Sequence, residues 1–307
     1  MSLPLEAFLR VLDRARSRRG VALMGVCNVT PDSFSDGGQY FEISAARARV
    51  DELIAQGADI VDIGGESTRP GAAPVTPPEQ ITRVLDLVRY ATSIGACVSI
   101  DTASAEVAEA TLDAGACIVN DASCLREQAL ARVVAARGAA LVLMHARGPQ
   151  EKMRGFSQYP DEGYGDVVRD VLREWGEAAE RARSAGVGRD AIAMDPGLGF
   201  AKNARQSAEL LARLAELVRS VGVPVAVGAS RKSFLTIADA EAPPTERLGA
   251  SIAAALHAAR EGASILRVHD VRATRQAVDL SRRLEEGAAA ARAASPALGA
   301  SSKSGGA

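Results

Sequence analysis

Asn28, Asp62, Asp101, Asn120, His145, Asp195, Ser230 with Lys232, and Arg267 with His269 each stand at the C-terminal end of a short apolar run, or just past it. Asp101, Asn120, Asp195 and Lys232 together could form a hydrogen-bonding cup, which suits a flat heterocycle with several ring N–H and amino groups. Arg69, the Ser230-Arg231-Lys232 run and the Arg267-Val268-His269 run add cationic or potentially cationic groups, the chemistry that grips a phosphate or diphosphate. Composition sharpens this reading. Of 36 basic residues only Lys152, Lys202, Lys232 and Lys303 are lysine, and the chain has three histidines (His145, His257, His269) and three asparagines (Asn28, Asn120, Asn203). All of these except His257 and Lys303 follow a strand-like run. Taken singly, each has a plain structural reading: a strand-end Asp serves as often as a helix N-cap, Asn120 can turn the chain, and His257 sits on a helix where packing explains it. The gathering of so many on one side is what points to a single polar site.

Something must hold these residues level. Strands are expected at Val21–Cys27, Ile60–Ile63, Cys97–Ile100, Cys117–Val119, Ala139–Met144, Ala191–Met194, Val223–Val227 and Ser264–Val268. They read as continuous apolar runs, as parallel strands covered on both faces do. Amphipathic stretches fill the gaps, most clearly Asp166–Ala185, where Val168, Val171, Leu172, Trp175, Ala179 and Ala182 form one stripe. Ser104 is placed to cap the helix after the third strand. Glycines at 57, 115, 138, 222 and 262 punctuate helix ends. This pattern predicts an α/β protein with a single-domain (βα)8 TIM barrel over residues 21–286, whose chemistry lies at the C-terminal ends of the strands. The rival, an open doubly wound sheet, would favour a Gly-rich dinucleotide turn, and no GxGxxG occurs. Residues 1–20 read as an amphipathic lead-in closing the barrel bottom. Residues 287–307, almost all Ala, Ser and Gly, read as a disordered tail.

The 307 residues are 47% hydrophobic and 24% charged, enough to bury a full core. A net charge of −2 leaves no one-signed field for nucleic acid or an anionic membrane. Charges at Glu6, Arg10, Asp13 and Arg14 interrupt any signal-like apolar core, so a cytoplasmic location is expected. Four cysteines without a close CxxC pair read as small buried hydrophobes in a reducing compartment.

Two loops are long and rich in Gly and Pro, Asn28–Gly38 and Gly64–Gly71; loops of this kind often act as lids. With the strand-end motifs they carry a resemblance to a known family. Met24-Gly25-Val26-Cys27-Asn28-Val29-Thr30-Pro31-Asp32-Ser33-Phe34-Ser35-Asp36-Gly37-Gly38 is followed by Asp62-Ile63-Gly64-Gly65-Glu66-Ser67-Thr68-Arg69-Pro70-Gly71, Ser99-Ile100-Asp101-Thr102, Val119-Asn120-Asp121 and Leu143-Met144-His145. Asp195-Pro196-Gly197-Leu198-Gly199-Phe200, Gly228-Ala229-Ser230-Arg231-Lys232-Ser233-Phe234 and Arg267-Val268-His269-Asp270 complete the order. Over residues 22–285 the chain resembles the dihydropteroate synthases of folate biosynthesis.

The resemblance implies condensation of 6-hydroxymethyl-7,8-dihydropterin diphosphate with 4-aminobenzoate, giving 7,8-dihydropteroate and pyrophosphate, with Mg²⁺ as cofactor and a homodimer as the assembly. It assigns Asp101, Asn120, Met144, Asp195 and Lys232 to the pterin, and Thr68, Arg69, Arg267 and His269 to the diphosphate. Phe34, Pro70, Phe200, Lys232 and Ser233 would border the 4-aminobenzoate slot, where sulfonamides compete. Asn28 would ligate Mg²⁺ with Asp32 nearby, and Asp101, Asp195, Lys232 and Asp32 would be the catalytic set. The chain departs from the family at Gln206-Ser207, where a His-Asn pair is usual, and at Ala122, where Val is commoner. Three rival readings fit less well. A pterin-binding methyltransferase barrel has no need of the diphosphate grip or the first long loop. A metal-dependent barrel hydrolase usually carries HxH on its first strand, which is absent. A non-catalytic paralogue has no reason to keep the whole polar set.

Overall fold

All eight expected strands form in a computed structural model, which describes residues 4–29, 39–66, 74–148 and 159–294. They are β1 (Ala22–Asn28), β2 (Ile60–Gly64), β3 (Val98–Asp101), β4 (Ile118–Asp121), β5 (Ala140–Met144), β6 (Ile192–Asp195), β7 (Ala226–Val227) and β8 (Ile265–Val268). Each pairs in parallel with its neighbours in the order β6-β5-β4-β3-β2-β1-β8-β7. The remaining seam, β6 to β7, is closed by a parallel bridge between Met194 and Val225, and the Met194 N–H donates to the Pro224 carbonyl at 2.8 Å. The chain is therefore a (βα)8 barrel of one domain. β7 is shorter than the expected Val223–Val227 because Pro224 has no N–H to give the ladder.

The helices are α1 (Pro4–Arg19), α2 (Gln39–Gln56), α3 (Pro77–Ser93), α4 (Ala105–Asp113), α5 (Gln128–Arg137), α6 (Val167–Ser184), α7 (Ala204–Ala212), α8 (Leu214–Val221), α9 (Leu248–Arg260) and α10 (Val271–Ala294). Local signals set their ends. The Ser104 hydroxyl accepts from the Val107 N–H, and the Asp166 carboxylate from Val168 and Arg169. The glycines at 57, 115, 138, 222 and 262 all have positive φ. α10 runs past residue 286 to Ala294, because the Ala-rich segment that cannot pack a core is still a strong helix former. The four cysteines are free.

Strand residues two apart share a face. Ala22, Met24, Ile60, Ile118, Ala140, Val142, Ala193, Ala226 and Ile265 fill the barrel interior, and α1 adds Phe8, Leu12 and Ala15 from below. The intervening residues, such as Leu23, Val61, Ile63, Ile100 and Leu141, pack outward against the helix ring. One step further along the inward rows, the apolar side chains give way to polar ones.

Candidate active site

Continuing the inward rows upward reaches Asn28, Asp62, Gly64, Ser99, Asp101, Asn120, Met144, Asp195, Gly228 and Arg267. The register aligns Asn28 with Gly64, Gly64 with Asp101, Asp101 with Asn120, and Met144 with Asp195. The polar floor is thus a direct product of strand alternation on a closed barrel.

Arg267 is the hub of this floor. Its Nε donates to Asp62 Oδ2 at 2.6 Å and its Nη2 to Asp101 Oδ2 at 2.7 Å. Asn120 Nδ2 donates to the same Asp62 oxygen at 3.1 Å. Asp62, Asp101, Asn120 and Asp195 are all buried. Burial pulls the Arg267 guanidinium down, but the two carboxylates outweigh it and hold it above its ordinary value. Burial raises Asp101 to about 7 against the opposing pull of Arg267. Two carboxylates share one guanidinium here, so the floor can carry one net negative charge. Arg267, expected at the diphosphate, also lies within the cup, tied to Asp62 and Asp101.

Opposite, the Asp195 carboxylate accepts from the Gly197 N–H at 2.7 Å. Lys232 Nζ donates to the Leu198 carbonyl at 2.6 Å and lies 4.7 Å from the centre of the Phe200 ring. Burial lowers Lys232 to about 8, with Asp195 working the other way. Met144, Ala146 and Phe200 form a small apolar wall with Ala122 and Cys124. A Cβ on Gly228 would stand 3.8 Å from both Asp195 Oδ2 and Lys232 Nζ, so any side chain there would grow into the cup. Gly197, at φ +67°, lets the loop pass so close to β5 that a Cβ would lie 2.0 Å from the His145 carbonyl. The Ser233 hydroxyl, beside Lys232, is buried with no partner among the described residues, as a group reserved for a ligand would be.

On the β7–β8 side, His269 Nδ1 lies 3.0 Å from Ser230 Oγ. Burial lowers His269 to about 3, helped by Arg267 and Arg231, which favours a neutral ring that can offer one N–H to a ligand. Arg231 is drawn away into an ion pair with Asp270 at 2.6 Å. His257 packs through a contact of 3.0 Å with the Leu211 carbonyl.

The Gln206-Ser207 departure is absorbed locally. Gln206 completes a capping box with Asn203, and Ser207 Oγ accepts from the Gly199 N–H at 3.0 Å. Asp32, Phe34, Thr68, Arg69, Pro70 and Lys152 lie outside the described residues.

Asn28 ends β1 with its Oδ1 facing Gly64, where a Cβ would lie 3.4 Å away. Among the described residues no group of three His, Cys, Asp or Glu could hold a metal ion. A hard oxygen from one or two protein groups is nonetheless what Mg²⁺ uses when substrate phosphates supply the rest. The donor Asn28 supplies fits an ion that arrives with a diphosphate.

Sequence reasoning named Asp62 as a rim residue but gave it no role, although alternation from Ile60 places it inward. It also missed Glu174, which carries no signal on a helix rich in charge.

The Asp101 and Lys232 shifts set a pH window. Asp101 must lose its proton to favour positive charge on a bound ring, and Lys232 must keep its proton to donate. Any turnover that uses both should have a kcat/KM that rises as pH passes about 7 and falls as it passes about 8. A profile flat across that range would contradict these roles.

A family model described as pterin binding enzyme matches residues 24–269. A dihydropteroate synthase from Mycobacterium leprae is 44% identical over 260 residues, covering 83% of this chain and 90% of the relative. A solved dihydropteroate synthase from Xanthomonas albilineans, with 4-aminobenzoic acid, superposes with a TM-score of 0.79 at 39% identity, over 86% of this chain and 93% of that one. Another structure of that organism's enzyme, in complex with 7,8-dihydropteroate, superposes with a TM-score of 0.76 at 36% identity, over 86% of this chain and 93% of that one.

Proposed function

The chain belongs to the pterin-binding enzymes and, within them, to the dihydropteroate synthases, and from that membership we infer that its top face joins 6-hydroxymethyl-7,8-dihydropterin diphosphate to 4-aminobenzoate. The observation that carries this reading is the Asp62–Arg267–Asp101 triad beside Asn120, set opposite Asp195 and Lys232 across a cup kept open by Gly228.

A pterin offers amino and ring N–H donors to Asp101 and Asp195 and ring acceptors to Asn120 and Lys232, while Met144 packs its face. The C–O bond between the exocyclic methylene and the diphosphate breaks, and its electron pair leaves with the diphosphate. The positive charge left on the methylene spreads into the ring, where the carboxylates of the cup favour it. The 4-aminobenzoate nitrogen then forms the C–N bond, and its surplus proton passes to the released pyrophosphate. Mg²⁺, held by Asn28 with the substrate's own phosphates, would neutralise charge on the leaving group when bound. Phe200, Lys232 and the Ser233 hydroxyl, which has no partner among the described residues, border the side from which the arylamine approaches. A sulfonamide, sharing the arylamine shape, should compete for that slot.

Incubating the protein with both substrates and Mg²⁺ should give a product with the mass of 7,8-dihydropteroate, and chelation of Mg²⁺ should suppress it. Failure to form that product would overturn the reading. His269→Ala tests the diphosphate side separately. It should weaken binding of the pterin diphosphate about tenfold, the worth of one hydrogen bond to a charged group, and leave binding of the bare hydroxymethylpterin unchanged by calorimetry. Equal losses would place His269 in the pterin cup.

The working assembly we propose is a homodimer, so light scattering should give twice the chain mass. Among the described residues no helix is long and apolar enough to cross a membrane. Four free cysteines suit a reducing cytoplasm.

A further inference from the structure

Lys202 has no part in the cup, yet its side chain is fully buried, which a lysine rarely is without partners. Its Nζ lies 2.9 Å from His145 Nδ1, 3.0 Å from the Gly197 carbonyl and 3.1 Å from the Phe200 carbonyl. Those three acceptors take the three protons of an ammonium. His145 is itself buried, and its Nε2 lies 3.0 Å from Glu174 Oε2 on α6. Arg147 grips Glu174 through two nitrogens, at 2.8 and 2.5 Å, and stacks 3.7 Å from the centre of the Tyr164 ring. The Tyr164 hydroxyl donates to the Ala201 carbonyl at 3.2 Å. The contacts close a ring that begins and ends on the Gly197–Ala201 loop.

That loop needs such support. Gly197, Gly199 and Ala201 have φ of 67°, 79° and 50°, and the last is a left-handed conformation that alanine rarely adopts. The carbonyls of Gly197, Leu198, Phe200 and Ala201 all accept from side chains, two from Lys202, one from Lys232 and one from Tyr164. Burial lowers Lys202 to about 7 and Asp195 pulls it back up, while burial and the Lys202 charge lower His145 to about 4. A neutral His145 accepts from the ammonium at Nδ1 and donates from Nε2 to Glu174, so the chain of donors has one direction.

We propose that Lys202 is a positioning residue for the arylamine step, fixing the Gly197–Ala201 loop so that Phe200 and Lys232 flank the 4-aminobenzoate, with Glu174 holding it in place through His145. This rests on the synthase reading. The residues on the far side of the cup, Asp62, Asp101, Asn120 and Arg267, make their hydrogen bonds among themselves. Loss of Lys202 should therefore be felt unequally by the two substrates.

Lys202→Met keeps the length and removes the donors. Glu174→Gln keeps the shape on a half-buried helix position and weakens the hold on His145. Steady-state kinetics should show KM for 4-aminobenzoate raised about tenfold by Lys202→Met and kcat lowered, with KM for the pterin diphosphate raised much less, because Asp101, Asn120 and Arg267 hold the pterin without touching the loop while Asp195 and Lys232 meet it. Glu174→Gln should show the same split at smaller size. Unchanged kinetics, or equal rises in both KM values, would overturn the proposal and leave Lys202 a purely structural group. If Lys202→Met does not fold, the Glu174→Gln split or its absence decides by the same criterion. A wild-type protein that makes no 7,8-dihydropteroate would instead overturn the synthase reading, an outcome distinct from an active wild type whose variants show no split.

Discussion

Lys232→Arg should lose most of the condensation, with kcat/KM down by about two orders of magnitude, and should resemble Lys232→Ala more than the wild type. The charge is kept, so the loss comes from shape. Lys232 Nζ donates to the Leu198 carbonyl at 2.6 Å, lies 4.7 Å from the Phe200 ring centre, and stands 3.8 Å from where a Cβ on Gly228 would be. A compact ammonium on a flexible stem fits that space; a wide planar guanidinium would overlap the pterin or the arylamine. The substitution also removes a titration. Burial lowers the lysine to about 8, whereas an arginine stays charged well above that, so residual activity in the arginine variant should lose its alkaline fall. The fold should survive, because the residue lies above the apolar core. Near-normal turnover would mean that a positive charge alone suffices at this position.

Arg267→Ala should damage both the cup and the fold. Removing the guanidinium leaves Asp62 and Asp101 buried without their cation, and breaking such a buried pair costs about 3–5 kcal/mol. Arg267 also holds Asp101 down, so Asp101 should be protonated to a higher pH in the variant, and the cup should lose the negative charge that favours a positive pterin. Urea unfolding should show the lost stability. Calorimetry should show weaker binding of both the pterin diphosphate and the bare hydroxymethylpterin, in contrast to the selective effect expected for His269→Ala. Full stability with unimpaired binding of the bare pterin would show that the guanidinium serves the diphosphate alone.

The contrast between these two β8 residues marks where the sequence stops being sufficient. The barrel was legible because eight apolar runs alternate with amphipathic stretches, and because glycines stand at the helix ends. The cup was legible because inward-facing positions recur every second residue, carrying the row from Met24 to Asn28 and from Ile60 through Asp62 to Gly64. Partner choice was not legible. Arg267 could reach up to an anion or across to carboxylates, and only the closed barrel brings Asp62 and Asp101 within 2.7 Å of its nitrogens. The same holds for His269, whose burial removes a charge that its residue type alone would allow. Lys202 was visible only as a scarce lysine, because its partners His145, Glu174 and Tyr164 are distant in sequence. Gln206-Ser207 stands as a departure from the usual His-Asn pair in sequence, and only the structure shows both side chains holding the loop.

Coupled measurement of pyrophosphate release and 7,8-dihydropteroate formation tests the account most directly, with the pterin diphosphate and Mg²⁺ present and 4-aminobenzoate added or withheld. One pyrophosphate should appear for each 7,8-dihydropteroate formed, with release falling sharply when the arylamine is withheld. Release at the same rate without 4-aminobenzoate, and no dihydropteroate when it is present, would make the protein a diphosphate hydrolase and contradict the account.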